Sequence, residues 1–382
     1  MIPYGRQDVT DADIAAVEEA LRSDWLTQGP AVPRFERAVA QASGSKFSVA
    51  VNSATSALHI ACMALGVGPG DIVWTSPNTF LASANCARYC GAQVDFVDID
   101  PRTYNLCPDA LAAKLEQARS AGRLPKVVIP VHFAGQSCAM KEIHALGQRY
   151  GFRIIEDASH AIGGQYNGGP VGDCRYSDIV VFSFHPVKLI TTAEGGMAMT
   201  NDAALAARME RLRSHGMTRD EALMEGASEG PWYYQQIELG WNYRLTDLQA
   251  VLGISQLERL AHYVDRRHAI ANRYLARLGG APLTLPFQAP EGHSALHLYP
   301  VLLHEAGRRR QVFEGLRAAG IGVNVHYIPV HLQPYYRRLG FHPGDFPNAE
   351  RYYASAISLP MFPTLTDAQQ DQVVDTLLAL LR

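Results

Sequence analysis

The chain has 382 residues, of which 47% are hydrophobic, and carries a formal net charge of −3 at pH 7. A chain of this length can bury a large core and is expected to form two or three domains, since domains commonly hold about 150 residues. Lys and Arg residues are spread along the chain rather than clustered. This distribution argues against nucleic acid as a partner.

Nothing in the sequence indicates export or a membrane. The N-terminus has no basic segment leading into an apolar one, and no run approaches the roughly 18 apolar residues of a membrane span. Six cysteines occur without a CxxC pair, so neither a disulfide framework nor a zinc site is indicated. We therefore expect a soluble protein of the reducing cytoplasm, without a metal and without a membrane partner.

The first half of the chain predicts an α/β architecture. It opens with an amphipathic helix over Thr10–Ser23, which begins with a capping box between Thr10 and Asp13. Short β-branched runs then alternate with segments of helical periodicity, which predicts a mostly parallel sheet covered on both faces. The predicted strands are Ile72–Trp74, Val94–Val97, Val127–Val131, Arg153–Ile155 and Ile179–Phe182. The predicted helices among them are Ser56–Leu65, Pro108–Arg119 and Met140–Tyr150.

The second half indicates a smaller α/β unit. A helical stretch from Asn201 to Ser214 and a Gly-, Glu- and Tyr-rich segment precede one long predicted helix over Thr246–Leu278. Further predicted elements are the strands Leu298–Leu303 and Gly322–His326 and a closing helix over Asp367–Leu381. We expect a large domain over residues 1–250 and a smaller C-terminal domain over residues 251–382.

Three features suggest a phosphorylated cofactor at the carboxyl edge of the sheet, where such folds bind ligands. The segment Val51–Ser56 places small hydroxyl residues and free backbone N–H groups at a helix N-terminus, which can bind phosphate, although plain capping is the more common use. Asp157 ends a strand with a carboxylate, although such residues are more often caps or ion-pair partners. Lys188 lies in an apolar stretch that favours a neutral, nucleophilic amine. Pyridoxal phosphate (PLP) needs three such partners: a cradle of N–H groups for its phosphate, an anion for its ring nitrogen and an amine for its aldehyde.

Three sequence blocks carry a family resemblance. They are SFHPVKLITTAEGG at 183–196, EDASH at 156–160 and GWNYRLTD at 240–247. In order and spacing, these blocks resemble the DegT/StrS family of sugar aminotransferases. The resemblance implies a fold-type I PLP-dependent aminotransferase, with a mostly parallel sheet flanked by helices and a smaller C-terminal α/β domain. It also implies a homodimer with shared active sites.

Further stretches, at 2–7, 26–30, 52–58, 325–331 and 357–360, are similar to one branch of this family. That branch makes UDP-4-amino-4,6-dideoxy-N-acetyl-β-L-altrosamine for pseudaminic acid. The similarity implies transfer of an amino group from glutamate to C4 of a UDP-linked 4-keto-6-deoxy-N-acetyl hexose. Neighbouring branches make 4-amino-4-deoxyarabinose or perosamine, so another nucleotide-linked 4-keto sugar remains an alternative. His160 replaces the family's usual glutamine, a change that this branch shares.

The same resemblance implies a role for each site residue. Lys188 would carry the cofactor as a Schiff base and transfer protons, and Asp157 would pair with the pyridinium nitrogen. The implied cofactor-binding positions are Ala54, Thr55, Ser56, Phe80, Asp157, His160, Ser183, Lys188 and Asn242. Among these, Phe80 would stack on the ring, His160 would contact its phenolic oxygen and Asn242 would reach the phosphate of the partner subunit. The implied substrate-binding positions are Tyr4, Thr27, Gln28, Gly29, His326 and Tyr327.

Other interpretations remain open at this stage. Phe80 could equally be a core aromatic residue, Asn242 a turn residue before a helix, and His185 has no assigned role. Sugar 3-dehydratases share this scaffold but have histidine at the cofactor lysine, so Lys188 argues against them. A regulator that binds PLP without catalysis is disfavoured by the intact site, and amino-group transfer by the purified protein would distinguish it.

Overall fold

The computed structural model describes residues 1–382. The helices are α1 (Asp11–Arg22), α2 (Ala31–Ser43), α3 (Ala54–Ala64), α4 (Ala82–Tyr89), α5 (Pro108–Ser120), α6 (Met140–Tyr150), α7 (Ala203–Leu212), α8 (Asp247–Leu257), α9 (Leu260–Leu278), α10 (Arg309–Ala318), α11 (Pro334–Arg337), α12 (Pro347–Ser355) and α13 (Asp367–Leu381). The strands are β1 (Phe47–Val51), β2 (Ile72–Thr75), β3 (Gln93–Phe96), β4 (Val127–Ile129), β5 (Arg153–Asp157), β6 (Gln165–Tyr166), β7 (Gly169–Pro170), β8 (Ile179–Ser183), β9 (Gly196–Thr200), β10 (Met217–Thr218), β11 (Gln235–Gln236), β12 (Leu283–Thr284), β13 (Gly292–His293), β14 (Tyr299–Leu303) and β15 (Ala356–Leu359).

A seven-stranded sheet forms the centre, in the order β1-β9-β8-β5-β4-β2-β3. Strand β9 runs antiparallel to both of its neighbours, and the other strands run in one direction. The prediction of a mostly parallel sheet is confirmed. Because the six co-directional strands end at one edge, the residues that follow β1, β2, β4, β5 and β8 are brought together there.

Apolar clusters cover both faces of this sheet. Alternate residues of one strand enter different cores, as expected from the period of two in a β-strand: Val181 packs with α3 on one face, and Val180 and Phe182 pack with α2 and α8 on the other. Most residues of α3 are buried, because this helix lies between the sheet and other helices. The N-terminus of α3 is therefore held rigidly at the carboxyl edge.

The C-terminal part of the chain builds a separate core around the sheet β12-β14-β15 and helices α9, α10 and α13. Ile2 joins this core, and its backbone bridges Ile321. In the other direction, Tyr336 and Tyr352 pack into the core beneath the central sheet. The N-terminus thus joins the C-terminal core, and residues after 250 join the core of the central sheet, so the boundary after residue 250 stays a prediction.

Three predicted elements differ from those observed. The strand Gly322–His326 was wrong, because Ile321 and Asn324 make only isolated bridges, to Ile2 and Ser358. The single helix over Thr246–Leu278 was also wrong, since α8 ends at Leu257 and α9 begins at Leu260. Strand β4 ends at Ile129, earlier than expected, because the following Pro130 has no N–H to offer a ladder.

The break between α8 and α9 has a tertiary cause. Arg259 takes a non-helical conformation there, and its guanidinium reaches Asp13 of α1 at 2.6 Å. Asp13 is fully buried and also accepts hydrogen bonds from the backbone of Thr10 and the hydroxyl of Ser255. The capping box predicted for α1 is present, and its carboxylate also joins α1 to α8. None of the helices combines the length and apolar character needed to cross a bilayer.

Candidate active site

The end of β1 leads directly into a cradle of backbone N–H groups. Ser53 caps α3 by accepting a hydrogen bond from Ser56 N at 3.1 Å, which leaves the N–H groups of Ala54 and Thr55 free at the positive end of the helix. The Ser56 hydroxyl donates to Asn52 at 2.6 Å. Gly196 faces the cradle from β9, where an added Cβ would lie 2.5 Å from the nitrogen of Ala54. The backbone is therefore open to a phosphate group, and these residues fit that of PLP.

Asp157, at the end of β5, presents a buried carboxylate at the same edge. Its Oδ2 accepts from Ser83 Oγ at 2.6 Å, and its Oδ1 accepts from the hydroxyl and the backbone N–H of Ser159 at 2.6 and 3.1 Å. The bond to the Ser159 backbone is a local turn contact, which agrees in part with the alternative that Asp157 is a cap. Asp157 forms no salt bridge, so the ion-pair alternative does not hold. A carboxylate can accept about four hydrogen bonds. One position remains for a protonated ring nitrogen.

Lys188 follows β8 and lies half-buried at this edge. Burial lowers the pKa of its ammonium to about 8, while the negative charge of Asp157 opposes that shift. No hydrogen bond of the protein holds its Nζ atom. The neutral amine that a nucleophile or a general base requires is therefore far more populated near neutral pH than in an ordinary lysine. Ser183, at the end of the same strand, is buried and accepts a hydrogen bond from the backbone of His185 at 3.5 Å.

Two neutral side chains, His160 and Tyr327, line the side of the site that faces the C-terminal unit. His160 accepts from the Ala134 backbone at 3.3 Å through Nδ1, so its neutral ring carries the proton on Nε2, which lies 3.1 Å from the Tyr327 hydroxyl. Burial, and then the charges of Lys188 and His326, hold the pKa of His160 well below its usual value. Burial also raises the pKa of Tyr327. Both side chains therefore stay uncharged at neutral pH.

His326 and Tyr4 extend this lining. His326 lies 2.9 Å from Ser358 Oγ through Nδ1, and burial, followed by the charge of Lys188, lowers its pKa to about 3. The ring of Tyr4 lies 5.4 Å from that of His326, and burial raises the pKa of the Tyr4 phenol. Gly5 lies beside Val187, the residue before the lysine. A Cβ added at Gly5 would be 3.7 Å from the Cβ of Val187. The N-terminal segment therefore reaches the lysine loop.

Phe80 is 59% exposed, so it is not a core residue. It lies beyond the end of β2 with its ring 6.2 Å from that of Tyr327. An exposed aromatic ring beside the other site residues is available to stack on a planar ligand.

The loop Thr27–Gly29 is exposed or half-exposed and is tied to the start of α8. Asp247 accepts from the backbone of Gly29 at 2.7 Å, and Thr27 forms a bridge with Thr246. Gln28 takes a positive φ of 56° within this turn. The loop is therefore held by the end of the GWNYRLTD block, where α8 begins.

Asn242 is exposed and lies in an extended segment, because it bridges Ser214 and its neighbour Tyr243 accepts from Asn52 N at 2.8 Å. It does not occupy a turn. The side chain of His185 is exposed as well and lies outside the hydrogen-bonded network.

Sequence analysis missed several residues of the site. Ser83 and His297 carry no local signal, since each reaches the site from far along the chain: Ser83 bonds to Asp157, and the buried ring of His297 lies 4.4 Å from that of His160. Ser159 stands inside the EDASH block and could have been proposed from its position. Gly196 ends the lysine block, but only the structure shows what it faces.

The structural comparisons place this fold and site in a class. A chain from Streptococcus pneumoniae, described as a sugar aminotransferase and solved in its PMP form, matches with a TM-score of 0.90 and 30% identity, over 100% of this chain and 99% of that chain. It is also solved in its PLP form. Helicobacter pylori PseC, an aminotransferase involved in the biosynthesis of pseudoaminic acid, matches with a TM-score of 0.91 and 30% identity over 99% and 98% of the two chains. The protein is a PLP-dependent aminotransferase of the α/β fold.

The sequence comparisons narrow the class to a family. The model of the DegT/DnrJ/EryC1/StrS aminotransferase family matches residues 7–378. Spore coat polysaccharide biosynthesis protein SpsC of Bacillus subtilis is 41% identical over 380 residues, which cover 98% of this chain and 95% of SpsC. The chain belongs to the DegT/DnrJ/EryC1/StrS aminotransferase family, and its activity is that of a sugar aminotransferase.

Proposed function

We propose that the protein transfers the amino group of glutamate to C4 of a UDP-linked 4-keto-6-deoxy-N-acetyl hexose. The product would be UDP-4-amino-4,6-dideoxy-N-acetyl-β-L-altrosamine, a precursor of pseudaminic acid. The observation that carries the activity is the meeting of a half-buried amine, a buried carboxylate and a backbone cradle at one sheet edge. The similarity to PseC over nearly the whole chain supports the choice of sugar.

When bound, PLP supplies an electrophilic carbon and an electron sink. We assign its phosphate to the free N–H groups of Ala54 and Thr55, with the hydroxyls of Ser56 and Ser183 beside them. Phe80 would cover one face of the ring. His160 would offer its Nε2–H to an acceptor of the cofactor, such as the phenolic oxygen, in competition with Tyr327.

Lys188 would act first as the amine that attaches the cofactor and then as the base that moves a proton. Its lowered pKa leaves enough neutral amine for both steps near neutral pH. The absence of any hydrogen bond to Nζ leaves its lone pair available.

Asp157 would hold a proton on the ring nitrogen through the accepting position that its serine partners leave free. A fixed negative charge at that atom favours the protonated ring, which is the form that accepts electrons from the reacting carbon. Ser83 and Ser159 would orient the carboxylate for this contact.

The nucleotide sugar would occupy the space bordered by the N-terminal segment and the C-terminal unit. Tyr4, His326 and Tyr327 offer uncharged hydrogen-bonding groups to sugar hydroxyls, as expected for a neutral ligand part. Thr27, Gln28 and Gly29 present an exposed loop that would contact the same substrate.

We further propose a homodimer in which Asn242 reaches the cofactor phosphate of the partner subunit. The exposure of Asn242, and of the nearby Trp232 and Leu239 at 70% and 71%, supports an interface at this surface. The six cysteines are all free, which supports our expectation of a reducing compartment such as the cytoplasm.

The proposal is tested by assaying the purified protein with glutamate and a panel of nucleotide-linked 4-keto sugars. We expect the highest kcat/KM for the UDP-linked 4-keto-6-deoxy-N-acetyl hexose whose amination gives the L-altrosamine product. One 2-oxoglutarate should form for each amino sugar. The 4-keto precursors of 4-amino-4-deoxyarabinose and of perosamine serve as matched competitors. A preference for either one would overturn the assigned sugar but keep the aminotransferase, whereas failure with every sugar would favour a regulator.

A further inference from the structure

A cluster of thiols and one histidine lies outside the site described above. Helix α3 carries His59 and Cys62, and helix α4, packed against it, carries Cys86 and ends at Cys90. His59, Cys62 and Cys86 are buried, whereas Cys90 is partly exposed at the surface. No proposed step of aminotransfer uses any of these four side chains.

The buried Cys62 thiol neighbours both other thiols, and the three are not equivalent. Helices α3 and α4, which carry them, pack against each other. Cys86 also directs its own S–H to the carbonyl of Ser83 at 3.3 Å. Cys86 therefore has a backbone partner inside the core, while Cys62 stands directly behind the only thiol of the three that solvent reaches.

His59 completes the cluster. Its ring is 3% exposed, and its Nδ1 lies 3.2 Å from the hydroxyl of Tyr243. Its Nε2 has no hydrogen-bond partner of the usual kind, which is rare for a buried ring nitrogen. If the Tyr243 phenol donates to Nδ1, the neutral ring carries its proton on Nε2. The His59 ring lies 5.4 Å from that of Tyr89, the residue before Cys90, so the Cys90 thiol is a neighbouring group.

We propose that Cys90 is a peroxide-reactive thiol and that Cys62 resolves it, so that oxidation closes a disulfide between α3 and α4. The Cys90 thiolate attacks one peroxide oxygen, an S–O bond forms, the O–O bond breaks, and hydroxide leaves and takes up a proton. Cys62 then attacks the sulfenic sulfur, the S–S bond forms, and water leaves with the oxygen. In sum, two thiols give two electrons and two protons to one peroxide, which becomes two waters.

The electrostatics agree with this assignment. The hydrogen bond from the Cys62 thiol, and then the contact with His59, lower the pKa of Cys90 against the opposing effect of burial. The thiol contacts and burial raise the pKa of Cys62 well above its usual value. Thiolate character with partial exposure marks the attacking sulfur, and a neighbouring protonated thiol marks its resolving partner. No group of His, Cys, Asp or Glu side chains in the chain is arranged to hold a metal ion, so we assign thiol chemistry to the cluster.

The experiment is peptide mapping of the intact protein after brief exposure to hydrogen peroxide. Trypsin separates Cys90 on the peptide 89–102 from Cys62 and Cys86 on the peptide 47–88. We expect a disulfide-linked pair of these peptides, whose fragmentation places the bond at Cys62, and its disappearance after thiol reduction. In Cys62→Ser, dimedone should instead label Cys90 as a sulfenic acid at least about tenfold faster than Cys107, which is also half-buried but lies outside the cluster.

Cys107→Ser is the matched control and should leave the linked peptides unchanged. His59→Phe should slow alkylation of Cys90 by iodoacetamide at pH 7, while the labelling of Cys107 stays the same. Labelling of Cys90 no faster than that of Cys107, a bond at Cys86, or a lasting sulfenic acid in the unmodified sequence would each overturn the proposal. Since these readouts do not depend on aminotransfer, they are independent of the function proposed above.

Discussion

Single residues set the protonation states on which the proposed chemistry depends. Lys188 is pulled towards the neutral amine by burial and towards the ammonium by Asp157. Burial dominates, and the same burial keeps His160 and His326 neutral. The lysine is thus a positive charge beside two neutral imidazoles, and Asp157 is the carboxylate whose charge acts on it.

The first prediction concerns the identity of the cofactor lysine. Borohydride should fix PLP covalently to Lys188, recovered in the tryptic peptide 176–208 because trypsin does not cleave after a modified lysine. Lys188→Ala should still retain cofactor through the phosphate cradle but lose turnover, since no base remains to move the proton. Absorbance, peptide mapping and an assay of 2-oxoglutarate formation measure these outcomes. Label on any other lysine, or full activity of Lys188→Ala, would contradict the assignment.

The second prediction concerns the balance between Lys188 and Asp157. The rate of cofactor capture by the apoprotein should rise with pH, with a midpoint near pH 8, where half of the Lys188 side chains are neutral. In Asp157→Asn the charge that raises the pKa of Lys188 is gone, so the midpoint should move to lower pH. Turnover should fall by orders of magnitude with little change in Tm, because the protonated ring is no longer stabilised.

Stopped-flow absorbance across a pH series measures this midpoint. Glu142→Gln, a substitution of an acidic residue away from the site, serves as the control and should leave both midpoint and turnover unchanged. An unshifted midpoint in Asp157→Asn would mean that the two side chains do not interact, and near-normal turnover would favour the capping interpretation.

At the scale of elements, the site depends on how closely β9 approaches the N-terminus of α3. Strand β9 is the antiparallel member of the sheet and delivers Gly196 against the backbone of Ser53 and Ala54. A side chain at that position would occupy the space in front of the cradle. The phosphate site is therefore a property of two packed elements and not of the α3 turn alone.

The third prediction follows from this contact. Gly196→Ala should push the cradle apart, since the new Cβ would lie 2.5 Å from backbone atoms, and overpacking of this kind costs about 1–3 kcal/mol. We expect cofactor affinity to fall by about tenfold or more. The matched control is Gly68→Ala, where an added Cβ meets nothing within 4 Å. Equilibrium dialysis measures the affinity of each variant for PLP. Equal affinity of the two variants would show that the cradle does not bind the cofactor.

At the scale of the whole molecule, the proposed site is incomplete within one chain. Asn242, Thr27 and Gln28 are exposed, and apolar side chains such as Trp25 and Leu239 remain exposed nearby in sequence. A two-fold dimer would bury such surface and would complete each site with residues from the partner.

The fourth prediction is that two inactive variants restore each other. Lys188→Ala mixed with Asn242→Ala under conditions of subunit exchange should recover about a quarter of wild-type activity, because half of the randomly paired dimers contain one intact site out of two. The control pair, Lys188→Ala with Asp157→Asn, should recover nothing, since both residues belong to the same subunit's site. Activity measured after mass spectrometry has shown exchange provides the test. No recovery in the first pair would place Asn242 and Lys188 in one subunit's site.

Local sequence patterns were sufficient to predict the central architecture and the main site positions. Alternating β-branched runs and helical periods predict a parallel sheet, and the carboxyl ends of parallel strands must share one edge. Asp157, Lys188 and the Val51–Ser56 turn each stand at such a strand end, so their meeting follows from topology. Their chemical roles came from the residue types and from the family blocks, and these roles remain predictions.

Tertiary structure alone determined what surrounds those positions. The contacts of Ser83 with Asp157, of His297 with His160 and of Gly196 with Ala54 join residues that are distant in the chain or carry no distinctive pattern. The same holds for the break before α9, where Arg259 turns towards Asp13, and for Gly322–His326, whose bridges go to the N-terminus and to β15. Periodicity reports which face of an element is buried, but not which distant residue it meets, and those partners determine the charge and shape of the site.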